Sequence, residues 1–285
     1  PTDEALAADI SRMKKLGFNM LRKHAKIEPE RFYYHCDQLG MLVWQDMVNG
    51  GSPYKHWFVT YLATLMNWNH ISFSDDEKHA GLLSRRDPEG KDEFRREITE
   101  TIAFLYNHPS IVVWVPFNEG WGQFDALAAC EQIRTLDSSR LVDHASGWFD
   151  QKGGDILSLH YYFLKLKFKP ESKRAAALTE FGGYSLSIPG HSCCKKVYGY
   201  KKFNSTGALT YGYIDLIRQT ILPAVKKGIG ATVYTQLSDI EEETNGIYTY
   251  DREICKIDPD TLRKWNRALK EAGECKTYAD HPTDH

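Results

Sequence analysis

Read from its amino terminus, the chain alternates between a helical and a strand-like hydrophobic rhythm. From Asp3 to Leu16 the apolar residues Leu6, Ile10, Met13 and Leu16 recur at helical spacing, and Gly17 stands where a left-handed C-terminal cap would. Phe18–Arg22 reads as a short strand with Arg22, Lys23 and His24 at its end. Pro29–Leu39 reads as a second helix closed by Gly40, and Met41–Trp44 as a second strand leading to Gln45 and Asp46. Repetition of helix, glycine, strand and polar tip predicts an alternating α/β architecture with a parallel sheet.

Ile111–Gln123, IVVWVPFNEGWGQ, carries the strongest strand signal. Its β-branched and aromatic run suits a strand buried on both faces, and it breaks at Pro116 into a polar tip holding Asn118 and Glu119. A carboxylate just past the end of a buried strand is where parallel α/β folds hold their chemistry. The alternative is that Glu119 caps a helix starting near Gln123.

The remaining pattern continues the alternation. Met47–Gly90 is a long excursion with Trp57, Phe58, Tyr61 and Trp68, its middle, Lys55–Asn67, compatible with a short amphipathic helix. These aromatics either line a cleft or pack the loop down. Asp92–Tyr106, Phe124–Leu136, Leu209–Lys226 and Thr261–Ala272 are predicted helices. Leu141–His144, Asp155–Leu159, Ala175–Thr179 and Ala231–Thr235 are predicted strands. Their tips carry His160, Tyr161 and Tyr162, then Glu180, then Gln236 and Asp239. The polar tail is expected to fray. Seven strands are thus predicted in a chain that begins with a helix. A (β/α)₈ TIM barrel has eight over ~250 residues. The expectation is one catalytic barrel domain spanning 1–285 whose first strand lies upstream of Pro1.

Composition narrows the function classes. Thirty-six Lys+Arg against 38 Asp+Glu give a net charge of −2 with no long single-sign block, which argues against a nucleic-acid partner. No apolar run approaches the ~20 residues a bilayer requires, so no membrane partner is expected. The six cysteines lack C-x-x-C spacing and read as reduced thiols, with Cys36 and Cys130 in core helices. That mildly favours a cytoplasmic setting, but localisation is left unassigned. Aromatic content of 13%, with seven Trp and sixteen Tyr, would suit a cleft that stacks on flat ligand faces.

Two strand-end carboxylates, Glu119 and Glu180, are what glycoside hydrolysis requires: one protonated to donate to the leaving oxygen, the other ionised to attack. At ~5–5.5 Å they retain configuration; at ~6.5–9.5 Å they invert it. Mutual repulsion and burial keep one of such a pair protonated near neutrality.

The segments MKKLGFNMLRKH, CDQLGMLVWQD, NHPSIVVWVPFNEGWGQ, LTEFGGYS and YTQLSDIEEETNGIYTYDR together resemble the barrel domain of glycoside hydrolase family 2. The resemblance covers nearly the whole chain. It implies a retaining β-glycosidase without metal or cofactor, with a carbohydrate substrate, Glu119 as acid/base and Glu180 as nucleophile. It further implies Asn118 on the sugar 2-hydroxyl and Arg22 near the nucleophile, the other reading of Arg22 being a structural pair with a carboxylate. His24 stands two residues after Arg22, whereas better-known members place theirs three after it. Asp46 either binds a sugar hydroxyl or pairs with Arg22. His160, Tyr162 and Gln236 are further candidates for substrate or nucleophile contacts, with supporting structural roles as their alternative. Family glucuronidases carry Asn-x-Lys after the nucleophile, and none occurs between Glu180 and Lys227, so a neutral, β-galactoside-like sugar is expected. Substrate choice is expected to rest on Met47–Gly90 and Tyr184–Thr206. Upstream sandwich domains or a homo-oligomer are the expected protein partners.

Two other readings stay open. His144, His160 and Asp239 end strands where metal-dependent amidohydrolases place ligands. A barrel opened by a missing strand could also be an inactive or merely carbohydrate-binding fragment.

Overall fold

The computed structural model describes residues 1–53, 55, 57–68, 71, 73–162, 166–194 and 197–277. In chain order α1 (Asp3–Lys15), β1 (Met20–Lys23), α2 (Glu30–Leu39) and β2 (Leu42–Asp46) come first. A π-turn (Trp57–Leu62) continues into α3 (Ala63–Trp68), followed by α4 (Pro88–Leu105), β3 (Ile111–Val115), α5 (Ala126–Leu136), β4 (Leu141–Val142) and β5 (Ile156–Tyr161). Then come β6 (Ala175–Gly182), β7 (Tyr184–Ser185), β8 (Lys201–Lys202) and α6 (Thr206–Leu216). A second π-turn (Ile217–Ile221), α7 (Leu222–Lys226), β9 (Ile229–Thr235) and α8 (Pro259–Thr277) complete the order. Strands stand at all seven predicted places. The short helix foreseen within 55–67 is present, split between a π-turn and α3.

Several boundaries differ from the sequence reading, each for a local reason. β2, β5 and β6 run further than their predicted spans, so Asp46, His160 and Glu180 lie within the last residues of strands rather than beyond them, and β1 carries Arg22 and Lys23 at its end. β4 ends at Val142, two residues early, because Asp143 and His144 turn into side-chain networks. α4 begins at Pro88, not Asp92, since Asp87 accepts from the amides of Glu89 and Gly90 and Pro88 sits at the first helical position. The helix predicted from Leu209 begins at Thr206, where the Ser205 side chain accepts from the Ala208 amide. The last helix runs to Thr277, past the predicted end at Ala272; the rest of the tail lies outside the described residues.

Two compact units are distinguished. The first comprises residues 1–11, 19–160 and 171–179; its sheet orders β1-β2-β3-β4, all parallel. The register pairs Arg22 with Trp44 and Asp46 with Val115, which brings polar carboxyl-terminal residues to one end of the sheet. Ile111, Val113, Trp114 and Val115 are at most 1% exposed. Burying each such side chain contributes about 1.5–3 kcal/mol, which makes β3 a rigid base for the turn at its carboxyl end. Cys36 and Cys130 are buried in α2 and α5, as expected.

The second unit comprises residues 12–18, 161–170 and 180–285. Its core is formed by α6, α7, β9 and α8, with Leu209, Tyr213, Ile217, Ile221, Ile229 and Leu262 buried. Lys256, fully buried, donates to Asp239 (2.6 Å) and to the carbonyls of Leu186 (2.9 Å) and Thr244 (2.8 Å), which pins the segment after β9. The Thr235–Gln236 peptide is cis.

Candidate active site

β3 leads into a turn that presents Glu119. The Glu119 amide donates to the Ser146 carbonyl (2.9 Å), and Glu119 itself sits in the left-handed region with φ of +52°. A non-glycine residue held there stores strain, which the surroundings must impose. They do so through the Met47–Gly90 excursion. Asp75 accepts from the Gln123 side chain (3.0 Å) and the Ala126 amide (3.0 Å). Buried Arg85 donates to the Gly122 carbonyl (3.2 Å) and to Asn49 (2.8 Å), and Asn49 donates to the Trp121 carbonyl. Phe58, Phe73 and Phe149 pack as one aromatic cluster, while Trp57 and Tyr61 are exposed. The Trp68 side chain lies outside the described residues. The cap at α5 is therefore Asp75, and the reading of Glu119 as a helix cap is overturned: α5 starts at Ala126 and the Glu119 carboxylate points elsewhere.

That carboxylate meets His160, whose Nδ1 lies 2.8 Å from Glu119 Oε1. The imidazole is 1% exposed and the carboxylate 19%, so one end of the pair is locked in protein and the other faces out. Gly147, at φ +86°, makes room for the ring: a Cβ there would stand 2.6 Å from His160 Nδ1. His160 Nε2 lies 3.1 Å from Ser146 Oγ. Behind it, Thr179 Oγ1 bridges Ser146 Oγ (3.0 Å) and Ser158 Oγ (2.6 Å), and Ser158 Oγ donates to Asp143 Oδ2 (2.9 Å). Asp143 was not singled out in the sequence, where it fell inside the predicted strand Leu141–His144.

Arg22 organises the neighbouring positions. Nε and Nη2 donate to the two oxygens of Asp46 (3.0 and 2.9 Å), Nη2 also to Asn118 Oδ1 (2.8 Å), and Nη1 to the Thr179 carbonyl (3.1 Å). Bidentate geometry of this kind fixes orientation as well as charge. Arg22 and Asp46 are 2% and 3% exposed, and Asp46 also accepts from the Ala25 amide. Of the two readings of Asp46, the structure shows the pair with Arg22. Asn118 Nδ2 in turn donates to His24 Nε2 (3.0 Å). Both ends of the Asn118 amide are thereby oriented.

In the second unit, Glu180 Oε2 accepts from the Tyr162 hydroxyl at 2.5 Å, and the same hydroxyl lies 3.1 Å from Thr235 Oγ1. Tyr200 stacks on Tyr162 with ring centroids 4.0 Å apart, 25° from parallel. Gln236 Nε2 donates to Asn245 Oδ1 (2.7 Å) and Glu243 Oε2 (3.0 Å). Tyr200 was not singled out in the sequence; its signal was only one aromatic among several in a Tyr- and Lys-rich loop.

The residues of the metal-dependent reading are engaged separately. His144 Nε2 accepts from the Gln151 amide and faces Asp150 at 3.1 Å, His160 serves Glu119, and Asp239 is held by Lys256.

Comparison with known proteins gives a concordant result. Residues 2–220 match the family described as glycosyl hydrolases family 2, TIM barrel domain. A β-galactosidase from Leuconostoc mesenteroides is 26% identical over 97% of this chain and 25% of its own length. A β-mannosidase B from Thermothelomyces thermophilus is 32% identical over 33% of the chain and 8% of its own. Among solved structures, a β-D-glucuronidase from Dictyoglomus thermophilum superposes with a TM-score of 0.65 at 15% identity, covering 94% of this chain and 48% of that one. A β-galacturonidase from Eisenbergiella tayi gives 0.61 at 19%, covering 93% and 47%. The chain spans about a quarter of the length of the Leuconostoc relative and about half of these solved chains.

Proposed function

Since the chain belongs to glycosyl hydrolase family 2 through its TIM barrel domain, we propose that it is a retaining β-glycosidase acting on a neutral, β-galactoside-like sugar. Glu119 is the acid/base and Glu180 the nucleophile. The observation that carries this reading is that each carboxylate has a dedicated donor within its own unit: His160 on Glu119 at 2.8 Å and Tyr162 on Glu180 at 2.5 Å.

The roles derive from chemistry. Glu180 attacks the anomeric carbon and forms a glycosyl-enzyme while Glu119 protonates the leaving oxygen; Glu119 then takes a proton from the water that releases the sugar. This requires the carboxyl groups ~5–5.5 Å apart. The Tyr162 hydroxyl stabilises the ionised nucleophile before attack and the departing carboxylate afterwards. Asn118, held by Arg22 and His24, presents its amide to the sugar 2-hydroxyl, a contact that strengthens in the transition state. Arg22 supplies fixed positive charge beside the Thr179 carbonyl that precedes the nucleophile. Gln236, anchored on Asn245, is available to a sugar hydroxyl. Lack of an Asn-x-Lys sequence between Glu180 and Lys227 favours a neutral sugar over a uronate.

The test is a panel of nitrophenyl β-glycosides, galactoside, mannoside, glucoside and glucuronide, given to the protein carrying this chain. Turnover of a neutral sugar is expected, together with covalent labelling by a 2-deoxy-2-fluoro glycoside that Glu180→Ala abolishes. Labelling that survives Glu180→Ala, or preference for the glucuronide, overturns the reading.

A further inference from the structure

Asp143 is fully buried, and only one of its carboxyl oxygens is bonded: Oδ2 accepts from Ser158, while Oδ1 has no hydrogen-bond partner. An ionised carboxylate with an orphaned oxygen in the protein interior is costly, and the protonated acid is the cheaper form. Burial pushes Asp143 up to about 6, against the positive charge of Arg22 and the presence of His144, with Asp46 adding to the rise. Nothing in the proposed glycosidase cycle uses this group.

Its bonded oxygen, however, opens a continuous path within the first unit. From Asp143 Oδ2 the steps are 2.9 Å to Ser158 Oγ, 3.3 Å to Ser146 Oγ, 3.1 Å to His160 Nε2, and then 2.8 Å from His160 Nδ1 to Glu119 Oε1. Thr179 Oγ1 closes a parallel route between the two serines in two shorter steps, of 2.6 and 3.0 Å. Every intermediate is a group that can accept a proton on one side and release one on the other. Ser146, Thr179 and the His160 ring are 1% exposed or less, so bulk water does not intervene along most of the path.

We propose that Asp143 is the proton-exchanging partner of Glu119, the two carboxyls sharing one proton across the Ser158–Ser146–His160 chain. This rests on the assignment of Glu119 as the acid/base. In one arrangement Asp143 is protonated and donates to Ser158, Ser158 donates to Ser146, Ser146 donates to Nε2, and Nδ1–H donates to the Glu119 carboxylate. In the other, each of those X–H bonds has broken and one has formed at the next acceptor. Glu119 then carries the proton, Asp143 is ionised, and the imidazole, neutral throughout, has exchanged Nδ1–H for Nε2–H. Charge and proton number are conserved, and no cofactor takes part. The arrangement resupplies the acid from inside the protein while substrate covers its outer face. Asp143 and Ser146 act through His160 and are positioning residues; only Glu119 touches the reacting atoms.

The experiment reads the His160 tautomer by ¹⁵N NMR in the protein carrying this chain, with His160→Gln identifying its signal. Between about pH 5 and 8 the wild-type ring is expected to populate both tautomers, in proportions that change with pH. Asp143→Asn, which keeps the shape and one acceptor, and Ser146→Ala, which cuts the path, are each expected to leave Nδ1–H alone. A single tautomer in the wild type, or an unchanged mixture in both variants, overturns the proposal. Kinetics separate this from the functional reading. The basic limb of kcat/KM is expected to move to lower pH in Asp143→Asn, because the variant removes a buried negative charge that opposes ionisation of Glu119. Ser146→Ala leaves the Asp143 charge in place, so its limb stays at the wild-type position, and the double variant moves as Asp143→Asn alone does. Full turnover by Glu119→Ala would overturn the acid/base assignment itself, whereas an impaired Glu119→Ala beside an unmoved limb in Asp143→Asn overturns only the relay.

Discussion

Gly183→Ala isolates how the candidate nucleophile is held. Gly183 has φ of +62°, and a Cβ there would lie 2.3 Å from Tyr200 Cδ2 and 3.2 Å from Tyr162 Cδ1. Carbon atoms rest at about 3.5–4.0 Å, so the Tyr200 ring must retreat by about 1.2 Å or more. The backbone cannot yield instead: the Gly183 amide donates to the Thr235 carbonyl and its own carbonyl accepts from the Tyr200 amide, both at 3.1 Å. Tyr162, stacked on the displaced ring, loses its seat, and a hydrogen bond of 2.5 Å to Glu180 does not survive a displacement of about 1 Å. Loss of a hydrogen bond to a charged group is worth about 1.5–3 kcal/mol. At about 1.4 kcal/mol per decade this becomes roughly a 10- to 150-fold drop in kcat/KM on a nitrophenyl β-galactoside. The control is Gly190→Ala, with φ of +82° and no atom within 4 Å of the added Cβ. It carries the left-handed strain of about 1–2 kcal/mol without the collision, and its activity should match wild type. Equal activity in the two variants would refute the reasoning, because strain alone would then account for Gly183.

The same geometry sets three further outcomes. Asp75→Ala should lower stability by about 1–2 kcal/mol by removing the α5 cap, and should accelerate amide exchange across Glu119–Gln123; unchanged exchange there would detach the excursion from the turn. Lys256→Met should cost about 3–5 kcal/mol in denaturant unfolding, since Asp239 is left charged, buried and without its cation; a loss under 1 kcal/mol would contradict this. Burial would raise Asp137, but bonds from Ser139, Arg140 and Trp114 outweigh it and bring the carboxyl down to about 2. Its contribution is therefore present above the unfolded value near 3.9 and lost as pH falls through 2. Asp137→Asn should be less stable than wild type by about 2 kcal/mol at pH 7, with the gap closing by pH 2; a gap independent of pH would refute the assignment.

How much was legible in the sequence depended on the reach of each interaction. β-branched runs and glycine punctuation identified the seven strands because a strand's burial is written in its own residues. The start of α4 was equally local, in Asp87 before Pro88, and was missed only because the apolar stripe starts later. Glu119 was ambiguous for the opposite reason: what decides between cap and strand-end acid is Asp75, far back in the chain, which occupies the capping position instead. The Arg22–Asp46 pair was one of two readings, and only the register of β1 on β2 chooses between them. Asp143 could not be found at all, since its significance lies in Ser146, Ser158 and Thr179, residues that carry no signal until three strand ends are brought together.

The Met47–Gly90 excursion bears on any attempt to retarget such a chain. It is long and carries exposed aromatics, and from the sequence it is expected to influence sugar preference. Yet Asp75, Arg85 and Asn49 are the fasteners of the Glu119 turn. A graft that carried only the exposed aromatics across would loosen the Glu119 turn, and on the proposed reading its loss of rate would be mistaken for a poor match to the new sugar. The transplantable cassette is the excursion together with residues 119–126.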